Sequence, residues 1–412
     1  MNTEFPNLRH MRVFLETART GSVSAAAERC LLSQPAATQA IARLEADLGA
    51  QLLVRRTRRF ATTPCGALFQ ARVETALDLL RHGARAAQRA RKRGQAGFDR
   101  LVTAAQLRTL IAVANTGSFT VAARTLGLSQ PTVHRSARSL EEAAGVPFFR
   151  ATASGVELTP AAQAFTLGAK LALAEIRQGI EEIGRELGND RGTFALGSLP
   201  LARTTIVPAA THRMVEATQG AQITVVDGRY PELLRSLREG DIDCLIGALR
   251  SPLPADDVTQ EHLFHDELVI VTHPDHPLAG RDDVSLEETL NYPWVAPPRS
   301  TPGGTYLFET LRINERPQTP VRVVSSSLIM LRGMLAEGPY VSIISRHQIA
   351  PEIRAGHMIP LSIALKGHKR SIGLTYRTSW RPTATQARFL ELLRECCPPD
   401  TGPGEGENLH MP

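Results

Sequence analysis

Long apolar runs are missing from this 412-residue chain; none approaches the roughly 18 residues that a membrane-spanning helix needs. Met1 to Arg12 has no apolar core of the kind a secretory leader carries, so export is not expected and a cytoplasmic location is. Cysteine is scarce: Cys30, Cys65, Cys244, Cys396 and Cys397 form an odd set without a C-x-x-C and match no zinc-site spacing, so they read as reduced thiols, the alternative being a redox sensor with no spacing signal behind it. Nucleophile and phosphate motifs are absent as well, with no P-loop, G-x-S-x-G or H-E-x-x-H. His262-x-x-His265 and His273-x-x-His276 are histidine pairs at i and i+3. On a strand such positions face opposite ways, so neither pair is expected to hold a metal. Thr301-Pro-Gly-Gly-Thr305 resembles a phosphate-cradling turn, but a single Gly-Gly turn is common. No catalytic residue, cofactor or metal is expected, and the chain does not read as an enzyme.

What is present is an ordinary globular balance, 42% hydrophobic and 21% charged, in a chain long enough for two to four domains. The net charge of +6 is unevenly spread. Residues 1–190 hold 25 basic and 16 acidic side chains, and the remainder holds 22 and 25. A basic front on a mildly acidic back suggests a polyanion-binding head on a different kind of body.

A repeat organises the front half. Shifting the chain by 96 residues lays Phe14–Gly66 over Leu110–Ala162 with 15 identities in 53 positions and no gap. Thr20-Gly21-Ser22, Leu32-Ser33-Gln34-Pro35, Leu44-Glu45, Gly49 and Thr63-Pro64 all recur. Each copy has apolar residues at helical spacing, a glycine stop, a short Ala-rich helix, and a third helix opened by Ser-Gln-Pro. That third helix is apolar along Ala37, Ile41, Leu44 and Leu48 and polar on its other face. A short helix, a tight turn and a capped helix with a polar N-terminal end make a helix-turn-helix, and the major groove admits one such helix.

The candidate DNA contacts in the first copy are Ser33, Gln34, Pro35, Thr38, Gln39 and Arg43, with the wing arginines Arg55, Arg56, Arg58 and Arg59 for phosphates. In the second copy they are Ser129, Gln130, Pro131, His134, Arg135 and Arg138. The copies are unequal. Residues 1–100 carry 17 basic and 8 acidic side chains, whereas residues 101–190 carry 8 of each, so most phosphate affinity is expected from the first.

Thr63-Pro64 and Thr159-Pro160 each open a long helical stretch, about 64–93 and 160–187. Such a helix after a DNA-binding unit is expected to pair with its twin in a dimer, the alternative being packing against its own chain. Residues 188–192, Gly-Asn-Asp-Arg-Gly, read as a hinge. From Thr193 strands and helices alternate, which predicts a parallel sheet with helices on both faces, in two lobes about a cleft. Ligands in such folds sit at the carboxyl ends of strands. The candidate effector-binding residues there are Ser198, Pro200, Arg203, Arg229, Arg250, Thr301, Ser326 and Ser327, and the recurring arginines favour an anionic small molecule.

Gly21-Ser-Val-Ser-Ala-Ala-Ala, Ser33-Gln-Pro, Leu44-Glu45, Leu48-Gly49 and Thr62-Thr63-Pro64 resemble the N-terminal signature of the LysR-type transcriptional regulators. Gly240-Asp-Ile-Asp243 and His276-Pro-Leu278 resemble that family's effector domain. The Thr301–Thr305 loop, the Ser325-Ser-Ser-Leu-Ile stretch and the Ser342–Arg346 strand are similar to a subgroup that includes a galactose-binding-protein regulator. The second helix-turn-helix is a departure, since most members carry one. Thr38 and Gln39, like His134 and Arg135, occupy positions where the family commonly has Ser and Arg, and neither copy keeps both.

The resemblance implies a winged helix-turn-helix with a long linker helix, and with the repeat this gives two tandem all-α winged helix-turn-helix domains (6–66 and 101–160), each with its linker helix (67–100 and 161–191). A two-lobed α/β periplasmic-binding-protein-like domain follows over 192–397. Lobe I would comprise about 192–264 and 347–397, lobe II about 265–346, and 398–412 a flexible tail. The implied function is sequence-specific control of a nearby operon, with a carboxylated or sugar metabolite as effector. The implied partners are double-stranded DNA, the effector, further copies of the chain as a dimer or tetramer, and RNA polymerase. The rival reading is a small-molecule-binding protein or enzyme on a doubly wound fold whose helical repeats serve only for oligomerisation.

Overall fold

A computed structural model describes residues 6–57, 59–90, 97–153, 155–316, 320–400 and 402. The first unit comprises α1 (Leu8–Thr20), α2 (Val23–Arg29), α3 (Gln34–Leu48) and a hairpin of β1 (Leu53–Arg56) and β2 (Arg59–Thr62), and leads into α4 (Pro64–Arg89). After a short turn at Phe98–Arg100 the pattern recurs as α5 (Ala104–Thr116), α6 (Phe119–Leu126), α7 (Gln130–Ala144), β3 (Phe149–Thr152), β4 (Gly155–Leu158) and α8 (Pro160–Glu186).

Bonds tying each unit together recur at the repeat shift. Glu45 accepts from the Leu52 and Leu53 N–H groups at 2.7 and 3.0 Å, and Glu141 accepts from Phe148 and Phe149 at 2.7 and 3.1 Å. Phe60 donates its N–H to the Gly21 carbonyl at 2.9 Å, as Val156 does to Gly117 at 2.8 Å. These bonds lock the hairpin against the helices and account for the repeated Glu, while the repeated Gly answers to the left-handed backbone at the helix ends, φ 68° at Gly21 and 63° at Gly117.

The turn into α3 differs. It passes through Leu31 at φ 54°, where the second copy has Gly127 at φ 66°. Leu31 is 88% exposed, so packing does not offset its left-handed backbone. Leu31→Gly is expected to raise stability by about 0.5–1 kcal/mol, the left-handed penalty less glycine's extra freedom in the unfolded chain. An unchanged urea midpoint would contradict this.

The long helices do not await a second chain. α4 and α8 run antiparallel against each other, and one apolar core containing Phe14, Leu44, Phe69, Leu110, Phe148 and Phe165 extends through both units and both helices. This corrects the expectation of pairing with a twin in a dimer. The crossing is close because it is built on glycine: a Cβ on Gly168 would lie 2.7 Å from the Leu79 carbonyl oxygen and 3.2 Å from Gly83 Cα. Gly168→Leu is expected to cost at least 1–3 kcal/mol, read in the same denaturation measurement.

The expected hinge at residues 188–192 is bonded at its far end to the effector domain. Asp190 accepts from the Thr385 hydroxyl at 2.9 Å, and the Gly192 carbonyl accepts from the Gln222 N–H at 3.0 Å.

The remaining chain is built on one mixed sheet. Its elements are β5 (Thr193–Ser198), α9 (Ile206–Ala217), β6 (Gln222–Asp227), α10 (Tyr230–Glu239), β7 (Cys244–Ala248) and β8 (Val258–Thr272). α11 (Leu286–Thr289), β9 (Trp294–Ala296), α12 (Pro302–Thr305), β10 (Val321–Val324), α13 (Leu328–Glu337) and β11 (Val341–Ser345) follow. The last are α14 (Ala350–Arg354), β12 (Ile359–Pro360), β13 (Lys369–Arg377) and α15 (Ala384–Glu395). Strand order is β10-β9-β11-β8-β13-β7-β5-β6.

The pairing is parallel among β5, β6 and β7 and among β9, β10 and β11, but β8 and β13 lie antiparallel to their neighbours. The expected parallel sheet is therefore corrected to a mixed one: the strands that carry the chain between lobes must run out and back. β8 crosses without a break at 264/265. The return is near 366–369 rather than 346/347, because Ile349, Met358 and Leu361 still pack in the second lobe. No helix among the described residues is long and apolar enough to cross a membrane.

Candidate nucleic-acid interface and effector cavity

Ser33 caps α3 by accepting from the Ala36 N–H at 3.3 Å, and Pro35 sits in the first turn, where it removes no helical bond. Ala37, Ala40, Ile41 and Leu44 are buried, which turns Gln34, Pro35, Thr38, Gln39 and Arg43 outward, all exposed. Thr38 donates back to the Gln34 carbonyl at 3.0 Å, and Arg43 pairs with Asp47 at 3.0 Å. Arg55, Arg56 and Arg59 are exposed on the hairpin, and none pairs with a carboxylate among the described residues. Arg58 lies outside the described residues.

The second copy repeats the scaffold with a different surface. Ser129 caps α7 by accepting from Thr132 N–H at 3.4 Å, and Gln130, Pro131, Arg135 and Arg138 are exposed. His134 is half-buried with its ring 4.1 Å from that of Phe119, so it is held down on the preceding helix. The hairpin's one arginine, Arg150, is opposite Glu157 in the strand register and pairs with it at 2.6 Å. A cross-strand pair of this kind cancels the charge that would meet a phosphate. The charge difference between the copies is therefore also a difference in free guanidinium groups.

The effector candidates scatter. A cavity of about 580 Å³ is lined by α10's Tyr230, by Arg250 beyond β7, by Ser300, Thr305 and Tyr306 around α12, and by His368 and Arg370 at β13. Of the eight candidates Arg250 alone lines it; Thr301 lies between two lining residues, Ser300 and Pro302, while its own hydroxyl caps α12. Ser198 is buried at the end of β5, with its hydroxyl turned to the Leu199 carbonyl at 3.3 Å. Pro200 opens the turn after β5, and Arg203 beside it pairs with Asp227 at 2.7 Å. Arg229 is exposed at the start of α10. Ser327 caps α13, and Ser326 is exposed next to it.

The cavity's electrostatics are simple. Arg250 lies over the Tyr230 ring, 4.5 Å from its centre, and no carboxylate pairs with it among the described residues. Burial pulls its guanidinium below the usual value; Tyr230 counters this, and the like charge of Arg370 adds to it. Arg370 donates to the buried carboxylate of Asp266 at 2.7 Å, but its Nε and the Tyr230 hydroxyl are buried without a partner among the described residues. Arg370, Tyr230, Tyr306 and His368 escaped sequence reasoning because they are remote in the chain and converge only where the lobes meet.

A β-bulge overturns another expectation. The register of β13 on β8 slips at Ile372/Gly373, so Leu263 has no partner and His262 and His265 reach the same side, with ring centres 4.5 Å apart. Asp400 accepts from His265 Nδ1 at 2.8 Å and contacts His262 Nε2 at 3.1 Å, and the three donor atoms lie within 4.8 Å of one another. The bond from His265 is the largest influence holding the Asp400 carboxyl well below the ordinary carboxylate range. The expected flexible tail thus starts pinned, and residues 401 and 403–412 lie outside the described residues. Burial pushes the Cys397 thiol up to about 12, so it carries little thiolate.

Comparison with known proteins bears on both surfaces. Residues 8–67 and again 104–163 match the model of the bacterial regulatory helix-turn-helix proteins of the LysR family, and residues 187–398 match the LysR substrate-binding domain. The HTH-type transcriptional regulator GalR of Pseudomonas putida is 29% identical over 395 residues, spanning 96% of this chain and 98% of its own length. PcaQ of Agrobacterium fabrum, also an HTH-type transcriptional regulator, is 26% identical; 96% of it is covered, but only 72% of this chain. More than a quarter of the present chain therefore has no counterpart there. A full-length OxyR variant from Pseudomonas aeruginosa shares the fold at 22% identity, with a TM-score of 0.52 over 71% of this chain and 93% of that one.

Proposed function

Because this chain belongs to the LysR family of DNA-binding transcriptional regulators with a small-molecule-binding domain, we propose that it is a regulator with tandem winged helix-turn-helix units, switched by an anionic metabolite. The units would be about 6–66 and 101–160, with α4 and α8 as linker helices and the effector domain from about 192 to 397. α3 enters the major groove with Gln34, Thr38 and Gln39 toward base edges, and Arg55, Arg56 and Arg59 hold the backbone. The observation that carries the DNA reading is the uncompensated positive hairpin beside an exposed polar helix face. A gel shift on the DNA upstream of its own gene tests this: retention should weaken steeply as salt rises.

The effector binds in the 580 Å³ cavity, with its carboxylate or other acidic group on Arg250 and its body against Tyr230 and Tyr306. The reading rests on Arg250, a guanidinium at a cavity wall with no carboxylate partner among the described residues. Because the cavity walls come from both lobes, a bound anion favours one lobe arrangement. α8 carries that bias toward the DNA-binding units. Its Lys170 bonds Glu239 and Asp241 of the effector domain at 2.6 and 2.9 Å, and its Glu181 accepts from the Thr193 hydroxyl at 2.6 Å.

Thermal-shift measurements on the full chain with sugar acids, aromatic acids and neutral sugars test the effector class. Acids should raise the melting temperature. Arg250→Ala should weaken the responding acid about 10- to 100-fold, the value of a charge-assisted hydrogen bond. Arg250 is the better probe than Arg370, since its loss strands no buried carboxylate. A response to neutral sugars alone overturns the anion assignment.

A further inference from the structure

The pairing of α4 with α8 has an internal symmetry. A Cβ on Gly83 would lie 3.4 Å from Phe165 Cα, and one on Gly179 would lie 3.0 Å from the Phe69 ring. Gly83 and Gly179 are equivalent residues of the repeat, and so are Phe69 and Phe165. The same exchange relates Gly83–Gly168 to Gly179–Arg72, and Leu79–Gly168 to the Glu175–Arg72 ion pair. Contacts that swap under a repeat operation define an isologous, two-fold interface. Here both halves of that interface belong to one polypeptide.

We propose that a single chain is a complete two-helix DNA reader, and that its partner is a duplex with two different half-sites, a non-palindromic operator. The proposal rests on the DNA reading above and adds the number of chains and the form of the operator. Because α4 and α8 are antiparallel, the two units attach at opposite ends of the pair. With 26 and 27 residues in these helices, those ends are about 40 Å apart at 1.5 Å per residue. That is the scale of successive major grooves on one face of a duplex, about 34–36 Å.

Two chains pairing symmetrically would present identical helices. This pair does not. α3 offers Gln34, Thr38 and Gln39, whereas α7 offers Gln130, Arg135 and Arg138, with His134 withdrawn onto Phe119. Glutamine suits the adenine edge and arginine the guanine edge. The α7 half-site therefore contains a guanine that the α3 half-site does not require. The α3 half also has the stronger backbone hold, since Arg55, Arg56 and Arg59 pair with no carboxylate among the described residues and Arg150 is bound to Glu157.

The test is selection by the full chain from duplexes with a random stretch of about 21 base pairs, room for two half-sites a turn apart. Mass measurement of the selected complex then counts the chains. One chain per duplex and a motif of two unlike halves are expected. Arg135→Ala with Arg138→Ala should lower affinity at least about tenfold and erase sequence preference in one half only. Gln34→Ala with Gln39→Ala should erase it in the other. All four residues are exposed, so the variants should keep the wild-type melting temperature. Two chains on each duplex, a palindromic motif, or loss of the same positions in both variants overturns the proposal while leaving the DNA reading intact. Absence of salt-sensitive retention of any duplex overturns the reading and the proposal together.

Discussion

Replacing Arg72 by Met is expected to destabilise the chain by about 3–5 kcal/mol, the usual result of removing one partner from a buried ion pair. Arg72 is 4% exposed on α4. Its guanidinium bonds Glu175 at 3.0 Å, Gln178 at 2.8 Å and Glu182 at 2.6 Å on α8, and the Arg381 carbonyl of the effector domain at 3.0 Å. Burial works against its charge, but the bonds to Glu182 and Glu175 outweigh it and raise its pKa. Truncation strands Glu175, itself 7% exposed, without its cation.

Urea unfolding followed by circular dichroism measures the loss. The double variant Arg72→Met, Glu175→Met should recover part of it, because the stranded charge is then gone as well. A loss below about 1 kcal/mol would mean that the network is not buried in solution, and that the α4–α8 pairing is looser than described. One side chain joins both long helices and the effector domain here, so the variant should also weaken DNA binding, although Arg72 meets no DNA.

Changing Arg55, Arg56 and Arg59 together to Ala is expected to weaken operator binding about 100-fold near 0.15 M salt and to lower the salt slope by about 0.9 for each phosphate no longer neutralised. Arg150→Ala should change affinity by no more than about twofold, since Glu157 already holds that group. Fluorescence anisotropy at three salt concentrations measures both slopes. Equal effects from the two hairpins would show that the units share the phosphates evenly, against the charge argument. A triple variant with an unchanged slope would remove the hairpin from the interface.

Much of this molecule is legible locally. Ser-Gln-Pro caps, glycine stops and apolar spacing act within a few residues, so α3, α7 and the starts of α4 and α8 follow from the order of side chains. Leu31 is a local irregularity, visible once Gly127 is laid beside it. The effector cavity was not legible in this way. Of the eight candidate residues near strand ends, only Arg250 reaches the cavity wall, because several strand-end groups find nearer partners, as Arg203 finds Asp227. On a regular strand His262 and His265 would face opposite ways, and a single bulged residue, Leu263, brings them to one side.

The order of residues by itself determined the duplicated unit, the identity of the groove-facing side chains and the imbalance of charge between the copies. All three are carried by short-range periodicity and simple counting. Tertiary structure alone decided that α4 finds α8 in its own chain, that the lobes part near 366–369, and that Arg250 and Arg370 share one cavity. Each of those outcomes depends on packing between segments tens to hundreds of residues apart, where partners of similar hydrophobicity are separated by shape and by buried polar pairs such as Arg72 with Glu175. In the crossing helices, that shape is the space left by Gly83 and Gly168.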